Sequence, residues 1–359
     1  NVLVSGLINL GDENSYYRKR TLSKAAEQPF TTGEKDGRNL MMVEIDGLSY
    51  HHMSKALREG LLPTMQEMID EDDYVISLVD CGIPSQTSAC QAGIMFGDND
   101  DIPAFRWYDK TQGKLIVSSS DAGELNDRYA HGHGLMRGGT SVSNMLSGDS
   151  FKSMMTASDL TDAGEEEAKL RAEDVFLLML DPSFLMGTIA RYLGMVVVEL
   201  LEGWQQRRHD VKPRLNRLHE FYTFVRAATS VFLRELGASF AVMDIVRGSH
   251  SIYLTWPGYD EVAHHSGPWT EDAFKDLARY DKVLQRIRHT IKNDAPVHYD
   301  MIILSDHGQS FGHTFLMRYG ITIKEFIELQ LPEGTTVEIS MGGDTGAMGV
   351  SQATTELSN

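Results

Sequence analysis

Four short apolar runs set the limits on what this chain can fold into. Residues 39–45, NLMMVEI, end in Asp46-Gly47, as a strand buried on both faces does when it delivers a carboxylate to its carboxyl end. Residues 74–79, YVISLV, end close to Asp80 and Gly82, and 251–256 (SIYLTW) and 300–305 (DMIILS) read as strands by the same criterion. Helical patterns over 50–70 and 270–292 lie between these runs. Strands alternating with helices predict an α/β fold with a doubly wound, mostly parallel sheet flanked by helices. In such a sheet ligands bind at the strand carboxyl ends.

Between 160 and 248 no strand pattern interrupts a long helical periodicity, which predicts an inserted helical subdomain. Its apolar stretch from Phe176 to Trp204 is broken by Asp181, Pro182, Arg191 and Glu199, so a full membrane span is not expected. A buried helical hairpin satisfies the pattern. So does docking on a membrane surface, which the basic residues Arg207, Arg208, Lys212, Arg214 and Arg217 favour. Residues 1–37 read as an apolar stub followed by a polar, glycine-containing linker, with the globular domain over 38–359.

With 42% apolar residues in 359, the chain can bury a sizeable core. A formal charge of −18 argues against nucleic acid as a partner, because binding a phosphate backbone needs a basic surface. An anionic substrate therefore has to be captured locally, by metal or arginine. Cys81 and Cys90 are too few for a disulfide framework and match no zinc spacing.

The chemistry-bearing residues fall into four groups. In DEVAHHSGP (260–268), Asp260 and His264 stand four apart just after a predicted strand, so on a helix both project from one face and can share a metal. An N-cap aspartate with a surface histidine has the same pattern. Asp306 and His307 follow MIILS and precede Gly308, a placement for a metal-ligand pair, a catalytic dyad or a plain strand-to-loop cap. Asp46 ends the first strand. In PSQTSACQAGIMFG (84–97), Thr87 opens a helix of small residues, where free N–H groups and the dipole favour an alkoxide or a phosphate; Ser85, Thr87 or Ser88 can equally be its N-cap.

The order of these groups resembles the type I phosphodiesterase and nucleotide pyrophosphatase family of the alkaline phosphatase superfamily. The resemblance rests on Asp-Gly, P-x-x-T with a glycine ten residues after the threonine, D-x-x-x-H-x-x-G-P and S-D-H-G, over residues 39–110 and 250–310. It implies an alkaline-phosphatase-like fold and a metal-dependent hydrolase of phosphate esters. Asp46, Thr87, Asp306 and His307 would surround one divalent ion, and Asp260 and His264 would hold a second. Zinc is favoured over manganese by the mix of imidazole and carboxylate. Thr87 would be the nucleophile, forming a phosphothreonine that water then hydrolyses.

The stretches DIPAFRWYDK (102–111), GGTSVSNMLSGD (138–149) and LSDHGQS look like a bacterial, membrane-associated, holin-linked branch of the family. That branch implies a membrane anchor ahead of Asn1, with a small phosphate ester or a lipid headgroup as substrate. It also makes Asn144 a candidate phosphate-oxygen donor, against an ordinary turn asparagine. Phe105 stands where many relatives carry a phosphate-binding asparagine, so Arg106 is a substitute candidate. The histidine that usually joins Asp260 and His264 at their metal is expected beyond Asn359, with His313 as the alternative within the chain. Two rival functions share these residues: a phosphotransferase to a lipid or glycan, and a metal-poor pseudoenzyme or membrane-associated binding module.

Overall fold

The computed structural model describes residues 15–30, 37–160, 164–209, 224, 227–310, 312, 313 and 315–332. The apolar stub 1–10, the basic residues Lys212, Arg214 and Arg217, and the 342–359 tail lie outside the described residues. In chain order the strands are β1 (Asn39–Ile45), β2 (Arg106–Asp109), β3 (Lys114–Val117), β4 (Thr140–Val142), β5 (Lys152–Met154), β6 (Ser251–Trp256) and β7 (Tyr299–Leu304). The helices through the first half are α1 (Ser15–Ala26), α2 (Tyr50–Arg58), α3 (Pro63–Glu71), α4 (Thr87–Phe96) and α5 (Ala122–Tyr129). Then come α6 (Glu165–Met179), α7 (Pro182–Arg208), α8 (Arg234–Arg247), α9 (Gly258–Ser266), α10 (Glu271–Asn293), α11 (Phe315–Tyr319) and α12 (Ile323–Glu328).

The main sheet has five strands in the order β5-β4-β6-β1-β7, and every pairing in it is parallel. β2 and β3 form a separate antiparallel hairpin. This is the mostly parallel sheet between helices that the apolar runs predict. Ile45 pairs with Trp256 and Glu44 with Leu304, so β1, β6 and β7 end level. Whatever follows each strand therefore emerges at one edge.

Side chains that alternate along β1 divide the interior in two. Met41, Val43 and Ile45 pack with Ile252, Leu254 and Trp256 and with buried residues of α2, α3, α8 and α10. Met42 and Tyr253 point the other way, onto Ala89, Ala92 and Met95 of α4 and onto Leu125 and Tyr129 of α5. The helix that begins at Thr87 thus lies on one face and most of the helical mass on the other. Glu44 is the one acid in this strand, and the alternation directs it to the α4 face.

Two expectations are corrected. Residues 74–79 form no strand: no neighbour pairs with them among the described residues, and Val75 and Val79 are 85% and 80% exposed. An apolar run becomes a strand only where another edge takes its hydrogen bonds. The helical pattern over 50–70 is two helices, because Gly60 takes a φ of 70° past the end of α2 and Pro63 opens α3.

Within 160–248, the long apolar stretch is split at Asp181-Pro182, where Asp181 Oδ1 accepts from the Phe184 amide at 3.1 Å and starts α7. A π-helical segment, Ala228–Leu233, leads directly into α8, which lies buried against β6 and β4. Buried charge ties these helices to the sheet. Lys152 on β5 donates to Asp174 of α6 (2.7 Å) and to Asp244 of α8, and Arg247 reaches Asp174 at 2.6 Å. Glu235 of α8 meets Arg191 of α7 at 3.3 Å and Arg286 of α10 at 2.7 Å.

Burial alone would raise the Glu235 carboxyl, but the charges of Arg286, Arg234 and Arg191 hold it down at about 2. A depressed carboxyl contributes stability that is present above its ordinary pKa and lost as pH falls toward the folded value. The contribution, on the order of 3 kcal/mol, should disappear between about pH 4.5 and 2. Glu235→Gln should be destabilised by roughly 3 kcal/mol near neutrality and should flatten the acid limb of a denaturation series over that window. An unchanged acid limb in the variant would refute this account.

Candidate active site

Asp46 follows β1 directly, and the chain turns at once through Gly47. Gly47 has a φ of 72°, and a Cβ placed on it would stand 2.2 Å from Asp260 Oδ1, so this turn admits only glycine without rearrangement. Its amide donates to Asp306 Oδ1 at 3.3 Å, and the Leu48 amide donates to Ser305 Oγ at 2.9 Å. Ser305 in turn donates to the His307 carbonyl at 2.7 Å. Gly308 faces Ser49 so closely that a Cβ there would lie 2.8 Å from the serine Cβ. The loops after β1 and β7 are thereby stitched into one unit.

Asp260 and His264 sit on α9, immediately after β6. Four residues apart on one helical face, they meet with His264 Nε2 3.0 Å from Asp260 Oδ2. Gln309 also donates to the Asp260 side chain and, at 3.1 Å, to its carbonyl. Thr87 is the first residue of α4, with Gln86 as N-cap accepting from the Ser88 amide. The Thr87 hydroxyl lies 3.2 Å from His307 Nε2 and 3.5 Å from Asp46 Oδ1. His307 Nε2 is 3.5 Å from both Asp46 Oδ1 and Asp306 Oδ2.

The structure therefore brings Asp46, Thr87, Asp306 and His307 together, with the Asp260/His264 pair beside them. Ligand atoms of Asp46, Asp260 and His307 all lie within 4.8 Å of one another, a spacing that suits a divalent cation. Among the described residues, the buried Asp306 Oδ2 has no hydrogen-bond partner, the condition expected of a carboxylate oxygen aimed at an ion. Burial, then the charges of Asp306, Asp260 and Glu44, push Asp46 well above the usual carboxylate range. Asp306 is raised mainly by burial. Burial raises Asp260 too, but the His264 hydrogen bond and the charges of His264 and His307 outweigh it and leave it depressed. A cation among these acids would relieve their repulsion, so the donor set fits one.

The remaining candidates have other contacts. Asn144 is buried, and its amide donates to Ser141 Oγ at 2.7 Å and to the Tyr253 carbonyl at 3.0 Å. Its carbonyl oxygen accepts from Thr255, so its polar atoms serve the fold. Arg106 opens β2, its guanidinium 5.5 Å from the Phe105 ring centroid. His313 is exposed and outside the cluster of Asp46, Asp260 and His307. Neither cysteine joins the site: Cys81 and Cys90 are free thiols, and burial pushes Cys90 up to about 12.

Sequence reasoning missed a polar network directly beneath the cluster. Glu44 is fully buried, accepting from Gln91 Nε2 at 2.8 Å, from Thr255 at 3.1 Å and from the Tyr253 hydroxyl. Gln91 Oε1 accepts from the Met145 amide at 2.8 Å. Gln91 lies one turn after Thr87 on α4, so this network joins the strand that carries Asp46 to the helix that carries Thr87. The available signals were a lone acid in an apolar strand and a glutamine four residues after the threonine.

A mostly parallel sheet between helices, with its acids and imidazoles gathered at the carboxyl edge, places the protein among alkaline-phosphatase-like α/β folds. The profile of the type I phosphodiesterase / nucleotide pyrophosphatase family matches residues 40–353, and the chain belongs to that family. Phosphate-ester hydrolysis is the activity the family implies, and its members are typically dependent on divalent metals. No curated protein matches the chain.

Gly47→Ala should lower stability by about 2 kcal/mol, because it adds left-handed strain and displaces the Asp260 carboxylate. Divalent-ion affinity, read by titration calorimetry, should fall with it. Wild-type affinity in a folded Gly47→Ala protein would show that the close approach to Asp260 does not set the cage.

Proposed function

We propose that the chain hydrolyses phosphate esters through nucleophilic attack by Thr87, with divalent ions held by the surrounding acids and imidazoles. The observation that carries this reading is the Thr87 hydroxyl, at the N-terminus of α4 and within 3.5 Å of both His307 Nε2 and Asp46 Oδ1. Asp46, Thr87, Asp306 and His307 would hold one ion, and Asp260 and His264 would take part in holding a second. Zinc suits the mixed donors better than manganese. When bound, such ions lower the pKa of a nearby hydroxyl and offset charge on phosphoryl oxygens.

The protein's own residues do the positioning. The α4 N-terminus presents free N–H groups and a positive dipole end to the phosphate. Asp46 and His307 fix the Thr87 hydroxyl, whose oxygen bonds to phosphorus as the ester oxygen departs and its proton is lost to solvent. Water then cleaves the phosphothreonine, restoring the hydroxyl and releasing phosphate or a phosphomonoester. Gln309 and His264 orient Asp260 from its two sides. The substrate can be a small phosphate ester or the headgroup of a lipid, and the proposed setting is a bacterial membrane surface.

Thr87→Ala should reduce turnover of a p-nitrophenyl phosphodiester by roughly a thousandfold or more while leaving the fold intact. Thr87→Ser, which keeps a hydroxyl, should retain measurable turnover and trap a ³²P-labelled adduct on acid quench. Full activity in Thr87→Ala would remove the threonine from the mechanism.

The two ions should also differ in affinity, because four donors surround one and the second has only the Asp260/His264 pair assigned to it. Zinc titration followed by elemental analysis should show one tight and one weak equivalent. His313→Ala should leave both unchanged; loss of the weak equivalent alone would make His313 its third ligand.

A further inference from the structure

α7 is inside out. Along the apolar stretch its charged residues turn toward the protein: Arg191 meets Glu235 at 3.3 Å, Glu202 meets Lys275 at 3.1 Å, and Glu199 is buried. Met186, Ile189, Leu193, Val197, Leu200 and Trp204 instead step along the outward face at three- and four-residue intervals, each at least 38% exposed. Just before the turn into α7, Phe176, Met179 and Leu180 add exposed apolar surface at the end of α6. At about 1.5 Å per residue the stripe from Leu185 to Trp204 runs for roughly 30 Å. Water solvates such a stripe poorly, and soluble monomers seldom keep one uncovered.

We infer that the outward face of α7 docks into the surface of an anionic phospholipid bilayer, with the helix lying in the membrane plane. The border of the stripe identifies the occupant. It ends in Trp204 and the exposed Arg207 and Arg208, and the Arg208 guanidinium stands 5.3 Å from the Trp204 ring centroid. An amphipathic indole backed by arginines suits the boundary between acyl chains and anionic headgroups. The chain carries a formal charge of −18, yet the exposed charged residues described along α7 are these arginines.

A second copy of the chain fits less well. Protein interfaces carry about one hydrogen bond per 100–200 Å², and the exposed side chains from Leu185 to Leu201 are all apolar. A transmembrane course is unsuitable too, although Phe184–Gln205 is long and apolar enough for one. Crossing would pull Arg191, Glu199 and Glu202 away from the protein groups that hold them. The inference extends the membrane setting proposed above by assigning the surface that makes contact.

The test is co-sedimentation of the full chain with vesicles of phosphatidylcholine alone or with one quarter phosphatidylglycerol. Wild type should sediment with the anionic vesicles, and its tryptophan emission should shift to the blue, a shift that Trp204→Phe should largely remove. The combined Leu193→Gln, Val197→Gln and Leu200→Gln variant should bind both vesicle types more than about tenfold less. Arg207→Gln with Arg208→Gln should lose roughly tenfold on anionic vesicles and little on neutral ones.

Turnover of a soluble ester should be unchanged in all these variants. Absence of turnover in wild type would overturn the hydrolase reading and leave the vesicle result standing. The docking inference is overturned by vesicle binding that the triple variant leaves intact, or by wild type that stays in the supernatant. It is equally overturned by a vesicle-free dimer that the triple variant converts to monomer, which would make a second copy the occupant.

Discussion

Asp46, Asp260 and Asp306 crowd the carboxyl edge of the sheet with most of their charge removed from water, and Glu44 lies just below them. Like charges in a low-dielectric setting cannot all ionise without a counter-charge. Burial raises both Asp46 and Asp306, whereas Asp260, flanked by His264 and Gln309, is the one of the three that stays depressed. Most of the local architecture is a response to this repulsion. The Gly47 amide is spent on Asp306 and the Leu48 amide on Ser305, so backbone dipoles share in holding a loop pair that charge would drive apart.

The fold supplies rigidity at that edge by simple means. β1 is paired on both sides, to β6 and β7, and the three strands end level. Each acid then leaves its strand within a few residues, where a main-chain position fixes its reach. The α4 helix is registered separately, through Gln91 to Glu44 and to the Met145 amide. Burial, and next the charge of Asp306, push Glu44 up to about 8, while the hydrogen bonds it accepts from Tyr253, Gln91 and Thr255 favour its charged form and oppose that rise.

Much of this was legible from residue order. Short apolar runs identified β1, β6 and β7, and an acid follows β1 and β7 within two residues. The four-residue spacing of Asp260 and His264 announced a shared helical face. YVISLV failed by the same rule: composition records what a segment can bury, and among the described residues no partner strand engages it. Asn144 looked like a turn residue near the site, yet its polar atoms close a network among β4, β6 and the following loop that only the folded chain assembles. Gln309, Gln91 and Glu44 carry no motif at all. Their roles come from contacts with residues 47 or more positions away, and spacing along one chain does not encode such pairs.

The helices of 160–248 follow a different logic from the site. Lys152 and Arg247 against Asp174 and Asp244, and three arginines around Glu235, place several full charges in the interior. Buried ion pairs seldom add much net stability over apolar residues of the same size, since desolvation offsets their attraction. They do penalise every arrangement in which a partner is missing. Rotating α7 about its axis would part Arg191 and Glu202 from their counter-charges and take one of the arginines away from the buried Glu235. The same constraint that turns these charges inward turns Leu193, Val197 and Trp204 outward. The apolar stripe is therefore a consequence of how α7 is held, and its direction is as firmly specified as the site itself.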